Sequence, residues 1–391
     1  MINNMTQKVP VIYGVGAALQ AGAKMRELGC TRVLFGFDSR TNCNGIVDSV
    51  RRSLLEAGLT LSDMDLCTVT EPSDVDVDKW AEYARSVDVD GVVALGGGSV
   101  IDLTKAVTGL ITNKGSIRDY LYHRGVDPNM KNPLPLIAIP TTAGTGSEVS
   151  ESAVITDTEY VFKSFFRFSA RLAILDPVMT DGMPQRLTAE TGMDAMSHLV
   201  ETYLSTKAND KSDALAYYFI KEVVKWLPVA INEPKNHDAR GAMLCAACFG
   251  GVNFNNVSLS MGHGIAHGIG AEFHMGHGLT CAFVFPEFLA LCAGQMPEKV
   301  RDIGRLLGAE FTGGETPDEI GKITADKARD FLHLIGITSV RENGIERDSF
   351  IALANHIYET NKSSIYNANT PCPTMSEADI ASFLARTYDL Y

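Results

Sequence analysis

The sequence predicts a parallel α/β domain over residues 1–184 followed by an all-helical domain over residues 185–391. Three observations carry this expectation. From Val9 to about Ile174, short β-branched runs alternate with segments of helical periodicity. Beyond the Asp176-Pro177 and Met183-Pro184 breaks, the apolar spacing settles into long 3.6-residue periods with no convincing strand. A chain of 391 residues with 45% apolar content is too long for one core and rich enough for two.

Each element follows from its residues. Arg32 to Phe37, Gly91 to Leu95, Leu136 to Pro140 and Leu172 to Leu175 are short runs dense in Val, Ile, Leu, Ala and Phe. Such runs, apolar on both faces, read as buried strands of a parallel sheet whose faces are covered by helices. Gly45 to Gly58 and Val77 to Val87 carry apolar residues at helical spacing and supply crossovers. The second half reads as helices over Thr188 to Leu204, Asp213 to Val229, Ala239 to Phe254, Pro297 to Leu307 and Pro317 to Ile335.

Composition narrows the function. A formal net charge of −13 repels the phosphates of nucleic acid and of anionic lipid, so neither is an expected partner. The eight cysteines are scattered, as in a reduced compartment, and the Cys245-x-x-Cys248 pair lies in an apolar stretch and reads as core thiols. No basic-plus-apolar leader opens the chain and no run approaches the roughly 20 apolar residues of a membrane span. The expected setting is the cytoplasm.

Two loops point to a dinucleotide. After the strand Val92-Val93-Ala94-Leu95 come Gly96-Gly97-Gly98-Ser99 and a helix start. Glycines let the backbone approach a ligand closely, and the new helix aims its free N–H groups and positive dipole end at it. After another strand, Pro140-Thr141-Thr142-Ala143-Gly144-Thr145-Gly146-Ser147 sets hydroxyls beside glycines, which suits phosphate and ribose oxygens. Loops leaving the carboxyl ends of strands share the crevice where open α/β sheets bind ligands. Asp38, ending an earlier strand, offers a carboxylate to ribose hydroxyls and repels a 2′-phosphate, favouring NAD over NADP; Arg40 nearby softens that discrimination.

The helical half points to a metal. Asp194 and His198 are four apart, on one helix face, and His263, His267, His274 and His277 fall within fifteen residues. One aspartate and three imidazoles bind Fe²⁺ or Zn²⁺ and leave a position for substrate, where the ion acts as a Lewis acid on an alcohol or aldehyde oxygen. Spacing alone does not choose among the four histidines. The rival is a metallohydrolase using His263 and His267 as an i,i+4 zinc pair, but Gly264 stands where such helices carry the general base, leaving Glu272 as a substitute.

These motifs resemble the iron-containing (group III) alcohol dehydrogenases almost end to end, through Gly96 to Asp102, Pro140 to Val149, Gly192 to His198 and Gly262 to Gly278. The resemblance implies an N-terminal α/β nucleotide-binding domain and an all-helical metal-binding and catalytic domain, the architecture shared with dehydroquinate synthase. It implies Asp194, His198, His263 and His277 as metal ligands, with His267 as a catalytic non-ligand that relays a proton. It implies dinucleotide contacts from Asp38, Gly97, Gly98, Ser99, Asp102, Thr141, Thr142, Thr145 and Lys163, and a substrate pocket lined by Phe254. The implied assembly is a homodimer or larger homo-oligomer, and the implied reaction is hydride transfer between NAD(H) and a small alcohol or aldehyde. A glycerol dehydrogenase or dehydroquinate synthase type of enzyme is the alternative within the same fold. Glu71-Pro72-Ser73 stands where many members have Asn-Pro-Thr.

Overall fold

The four runs read as buried strands are strands, and they lie side by side. In the computed structural model, which describes residues 5–67, 71–126, 130–160, 162–361, 368–372 and 374–391, β2 (Arg32–Phe37), β4 (Gly91–Gly96), β5 (Leu136–Pro140) and β8 (Leu172–Leu175) form the middle of a six-stranded sheet. β1 (Val11–Tyr13) and β3 (Thr60–Asp65) are its edges, in the order β1-β8-β5-β4-β2-β3, and every pairing is parallel. The expected α/β half is therefore correct in kind, with two strands more than its apolar runs disclose. β6 (Ser152–Asp157) and β7 (Phe162–Arg167) add a separate antiparallel hairpin.

Burial explains the pattern. Val33, Phe35, Val93, Leu95, Ile137, Ile139 and Ile174 project from the central strands into a core shared with Met25 of α1 (Ala21–Glu27) and Val47, Val50 and Leu54 of α2 (Ile46–Glu56). α3 (Asp74–Ser86) and α4 (Gly98–Thr112) also follow strands of this sheet. The chain adds β3 on one side of β2 and β4 on the other, so the direction of strand addition reverses there. The carboxyl ends of β2 and β4 flank that reversal, with β5 beside β4, and doubly wound sheets bind their ligands at such a point.

The second half is helical throughout its described residues, as expected. It comprises α5 (Gln185–Tyr203), α6 (Asp210–Asn232), α7 (His237–Val257), α8 (Met261–Phe273), α9 (His277–Ala293), α10 (Pro297–Leu306), α11 (Pro317–Leu334), α12 (Arg347–Asn361) and α13 (Glu377–Leu390). The chain divides into two compact units. One comprises Gln7–Met183 and Pro234–Leu244; the other is built chiefly from Pro184–Glu233 and Cys245–Tyr391. Among the described residues no single helix is long and apolar enough to cross a membrane. Cys245 and Cys248 lie on α7 and form no disulfide, and burial pushes the Cys245 thiol up to about 11, which leaves it protonated.

Candidate functional site

In the α/β unit the glycine loop and the threonine loop touch. Gly97 caps α4 with extended backbone and no side-chain partner, leaving the first N–H groups of the helix to a ligand. A Cβ on Gly98 would lie 2.6 Å from Thr145 Cγ2, and one on Gly97 would lie 3.3 Å from Thr142. Any side chain at Gly98 would therefore wedge the loops apart. Thr141 N–H donates to the Gly96 carbonyl at 3.0 Å, continuing the sheet register to the loop. Ser99 is exposed, Thr142 and Thr145 are half-buried, and Thr141 is buried. Asp102 accepts from the Ser147 hydroxyl and, at 3.0 Å, from Val154 N–H, so its carboxylate latches the threonine loop and β6 onto α4.

Asp38 stands at the carboxyl end of β2, 7% exposed. Its carboxylate accepts from Arg40 N–H at 2.9 Å, from Arg40 Nε at 2.9 Å and from Arg40 Nη2 at 2.6 Å. The guanidinium fork offsets the negative charge of Asp38. Lys163, on β7, is exposed and ion-paired with Glu71, the residue that departs from the family pattern. An exposed pair of this kind is worth at most about 1 kcal/mol, so it constrains the lysine only lightly.

In the helical unit, three imidazoles converge on one oxygen. Asp194 and His198 sit one turn apart on α5, His263 and His267 one turn apart on α8, and His277 opens α9. Asp194 Oδ1 is 3.6 Å from His198 Nε2, 3.6 Å from His263 Nε2 and 3.4 Å from His277 Nε2. Each separation exceeds a good hydrogen bond. Donors about 2.1 Å from a common ion stand about 3.4 Å apart at tetrahedral angles, so each imidazole stands at ligand spacing from Asp194. Burial pushes His198 down to about 4, keeping the ring neutral at neutral pH. Burial works against ionisation of Asp194, yet His198 and His277 hold it well below the usual carboxylate range.

Helix packing sets these positions. A Cβ at Gly278 would fall 2.1 Å from the Glu190 carbonyl oxygen, so α9 meets α5 main chain to main chain just beside His277 and Asp194. A Cβ at Gly250 would lie 3.3 Å from the Cβ of His198, bringing α7 close to the same turn of α5. Phe254, one turn further on α7, is half-buried with its ring centroid 5.0 Å from that of His198. His267 is half-buried, its ring 4.8 Å from His277. His274 is exposed and caps the end of α8 in the left-handed region.

Two residues of this centre were not anticipated from the sequence. Glu201, 3% exposed, reaches His263 Nδ1 with Oε1 at 2.5 Å, while Oε2 accepts from Ser260 N–H at 2.9 Å and from its hydroxyl at 2.7 Å. That contact places a proton on Nδ1 and directs Nε2 toward Asp194. Cys281, one turn after His277, joins Asp194, His263 and His277 in a set whose donor atoms all lie within 4.8 Å of one another. The signal was helical period: Asp194, His198 and Glu201 are i, i+4 and i+7, and His277 and Cys281 are i and i+4.

Comparison with known proteins decides the family. Residues 9–177 match the iron-containing alcohol dehydrogenases, and residues 188–388 match the C-terminal part of the same family. The chain belongs to the iron-containing alcohol dehydrogenase family. It is 31% identical over 352 residues to the NAD-dependent methanol dehydrogenase of Bacillus methanolicus, covering 89% of this chain and 91% of that protein. With the 1,3-propanediol dehydrogenase of Klebsiella pneumoniae it shares 34% identity over 349 residues, 88% of this chain and 89% of the relative. The crystal structure of a 1,3-propanediol oxidoreductase superposes with a TM-score of 0.90 at 29% identity, covering 99% of this chain and 100% of the other. Sulfoacetaldehyde reductase from Bifidobacterium kashiwanohense, solved with NAD⁺, gives 0.87 at 25% identity over 100% of both chains. This family member is accordingly an alcohol dehydrogenase, and the hydrolase reading falls away.

Proposed function

We propose that the chain transfers hydride between NAD(H) and a small alcohol or aldehyde, using Fe²⁺ or Zn²⁺ held by Asp194, His198, His263 and His277. The observation that carries this is the convergence of three Nε2 atoms within 3.4–3.6 Å of Asp194 Oδ1. Bound there, a divalent cation supplies Lewis acidity toward the substrate oxygen. The protein does the rest. Glu201 keeps His263 in the ligating tautomer, and Phe254 offers an apolar wall to the carbon skeleton of the substrate. His267, half-buried beside His277, carries the hydroxyl proton between substrate and solvent. The Gly97-Gly98-Ser99 turn and Thr141, Thr142 and Thr145 bind the pyrophosphate, with Asp102 holding the two loops together and Lys163 released from Glu71 to the cofactor. Asp38 accepts the adenosine ribose hydroxyls, which favours NAD.

Substrates of few carbons are supported by the methanol, propanediol and sulfoacetaldehyde enzymes among the relatives. Cys30, Cys67, Cys245, Cys281, Cys292 and Cys372 form no disulfide, which supports a cytoplasmic setting, and the family resemblance supports a homodimer or larger homo-oligomer. Metal analysis followed by an NADH-coupled screen of short alcohols and aldehydes tests the reading. His263→Ala is expected to lose metal and turnover together; full turnover by metal-free protein refutes it.

A further inference from the structure

Cys281 is 3% exposed, and its sulfur lies among the metal-binding atoms. Sγ is 3.6 Å from His277 Nε2, 3.9 Å from His263 Nε2 and 4.0 Å from Asp194 Oδ1. Apolar neighbours were available to it, since Val200, Val284 and Phe288 line a small cavity that Cys281 also borders. A cysteine serving only as filler has no reason to bring its sulfur to three polar donors. A sulfur about 2.3 Å and a nitrogen about 2.1 Å from one ion stand about 3.6 Å apart at tetrahedral angles. The His277 separation equals that value and the other two are slightly longer.

We propose that Cys281 is a further ligand of the metal, its thiolate added to Asp194, His198, His263 and His277, and that this soft donor tilts the site toward zinc over iron. The inference rests on the metal site proposed above. As the sulfur–metal bond forms, the thiol proton leaves to solvent. One carboxylate and one thiolate then cancel both charges of a divalent ion, and thiolate is the donor among those present that discriminates most by softness.

X-ray absorption at the zinc edge of the wild-type holoprotein decides the ligation directly. One sulfur at about 2.3 Å is expected; a shell of nitrogen and oxygen alone overturns the inference and leaves the metal site standing. A wild-type protein that retains no divalent ion overturns the underlying reading instead. In the cobalt-loaded protein, a thiolate-to-cobalt charge-transfer band in the near ultraviolet is expected in wild type and absent in Cys281→Ser and Cys281→Ala. An identical spectrum in both variants refutes ligation. Zinc affinity should fall at least about tenfold, the low end for losing even an indirect support of a ligand, and ferrous affinity should fall less. Equal losses for both ions overturn the selectivity.

Discussion

Glu201→Gln tests how the centre is wired. The substitution keeps size and leaves one amide oxygen for the Ser260 N–H and hydroxyl. The amide NH₂ then faces His263 Nδ1, now 2.5 Å from Glu201 Oε1. Two donors cannot share that line, so His263 must accept there and move its proton to Nε2, the atom 3.6 Å from Asp194 Oδ1. A protonated Nε2 has no lone pair for an ion. Loss of such a carboxylate support costs about 10- to 100-fold in metal affinity, or roughly 1.4 to 3 kcal/mol. The carboxylate is ionised in the native protein: burial would raise it, but His263 and Ser260 hold it below its usual range. The assay is competition for Zn²⁺ against a chromophoric chelator, with urea denaturation of the metal-free variant as a control on folding. A Gln variant that folds normally and binds metal as tightly as wild type refutes the tautomer argument.

Other outcomes follow from the nucleotide unit. Asp38→Gly should raise kcat/KM for NADP relative to NAD, while Arg40→Ala should lower it about fivefold, the worth of roughly 1 kcal/mol between exposed charges; opposite signs dispose of the ribose assignment. Gly98→Ala should destabilise the fold by about 1–3 kcal/mol and raise KM for the dinucleotide, because its Cβ meets Thr145 at 2.6 Å; an unchanged KM separates this loop from cofactor binding. Burial pushes the Glu148 carboxyl from 4.5 up to about 7 against the pull of Lys105. The native state therefore holds a proton that the unfolded chain releases between those values, and about 3 kcal/mol of stability present below 4.5 is lost as pH rises through 7. Urea midpoints of metal-free wild type and Glu148→Gln, measured across that window, should diverge with pH, wild type losing stability relative to the variant as pH rises; parallel curves refute the assignment.

What the residues disclosed depended on how deeply they are buried. The central strands announced themselves because both faces are covered and every position is apolar. β3, with the sequence Thr-Leu-Ser-Asp-Met-Asp, is an edge strand with only Met64 fully buried, so its composition resembles a loop. β1 is three residues long and equally marginal. At the metal centre, the aspartate and histidines were legible as residue types with a known taste for ions. Glu201 and Cys281 were not, since a glutamate on a helix is usually solvated and a cysteine in an apolar run is usually filler. Only the crossing of α5, α8 and α9, which is tertiary information, turns those two inward. The Arg40 fork was visible as a neighbouring charge, but its bidentate grip on Asp38 needed the turn that follows β2.

The main-chain contact between Gly278 and Glu190 separates two properties that a side-chain contact would tie together. The gauge of the proposed ion cage is set there by peptide atoms that every sequence shares, whereas the wall we propose for the alcohol is a side chain, Phe254, on another helix. Libraries that randomise position 254 alone leave the Gly278–Glu190 approach intact, so metal retention and substrate range can be scored separately in one screen. Conversely, a single methyl group at 278 damages metal retention for every substrate alike.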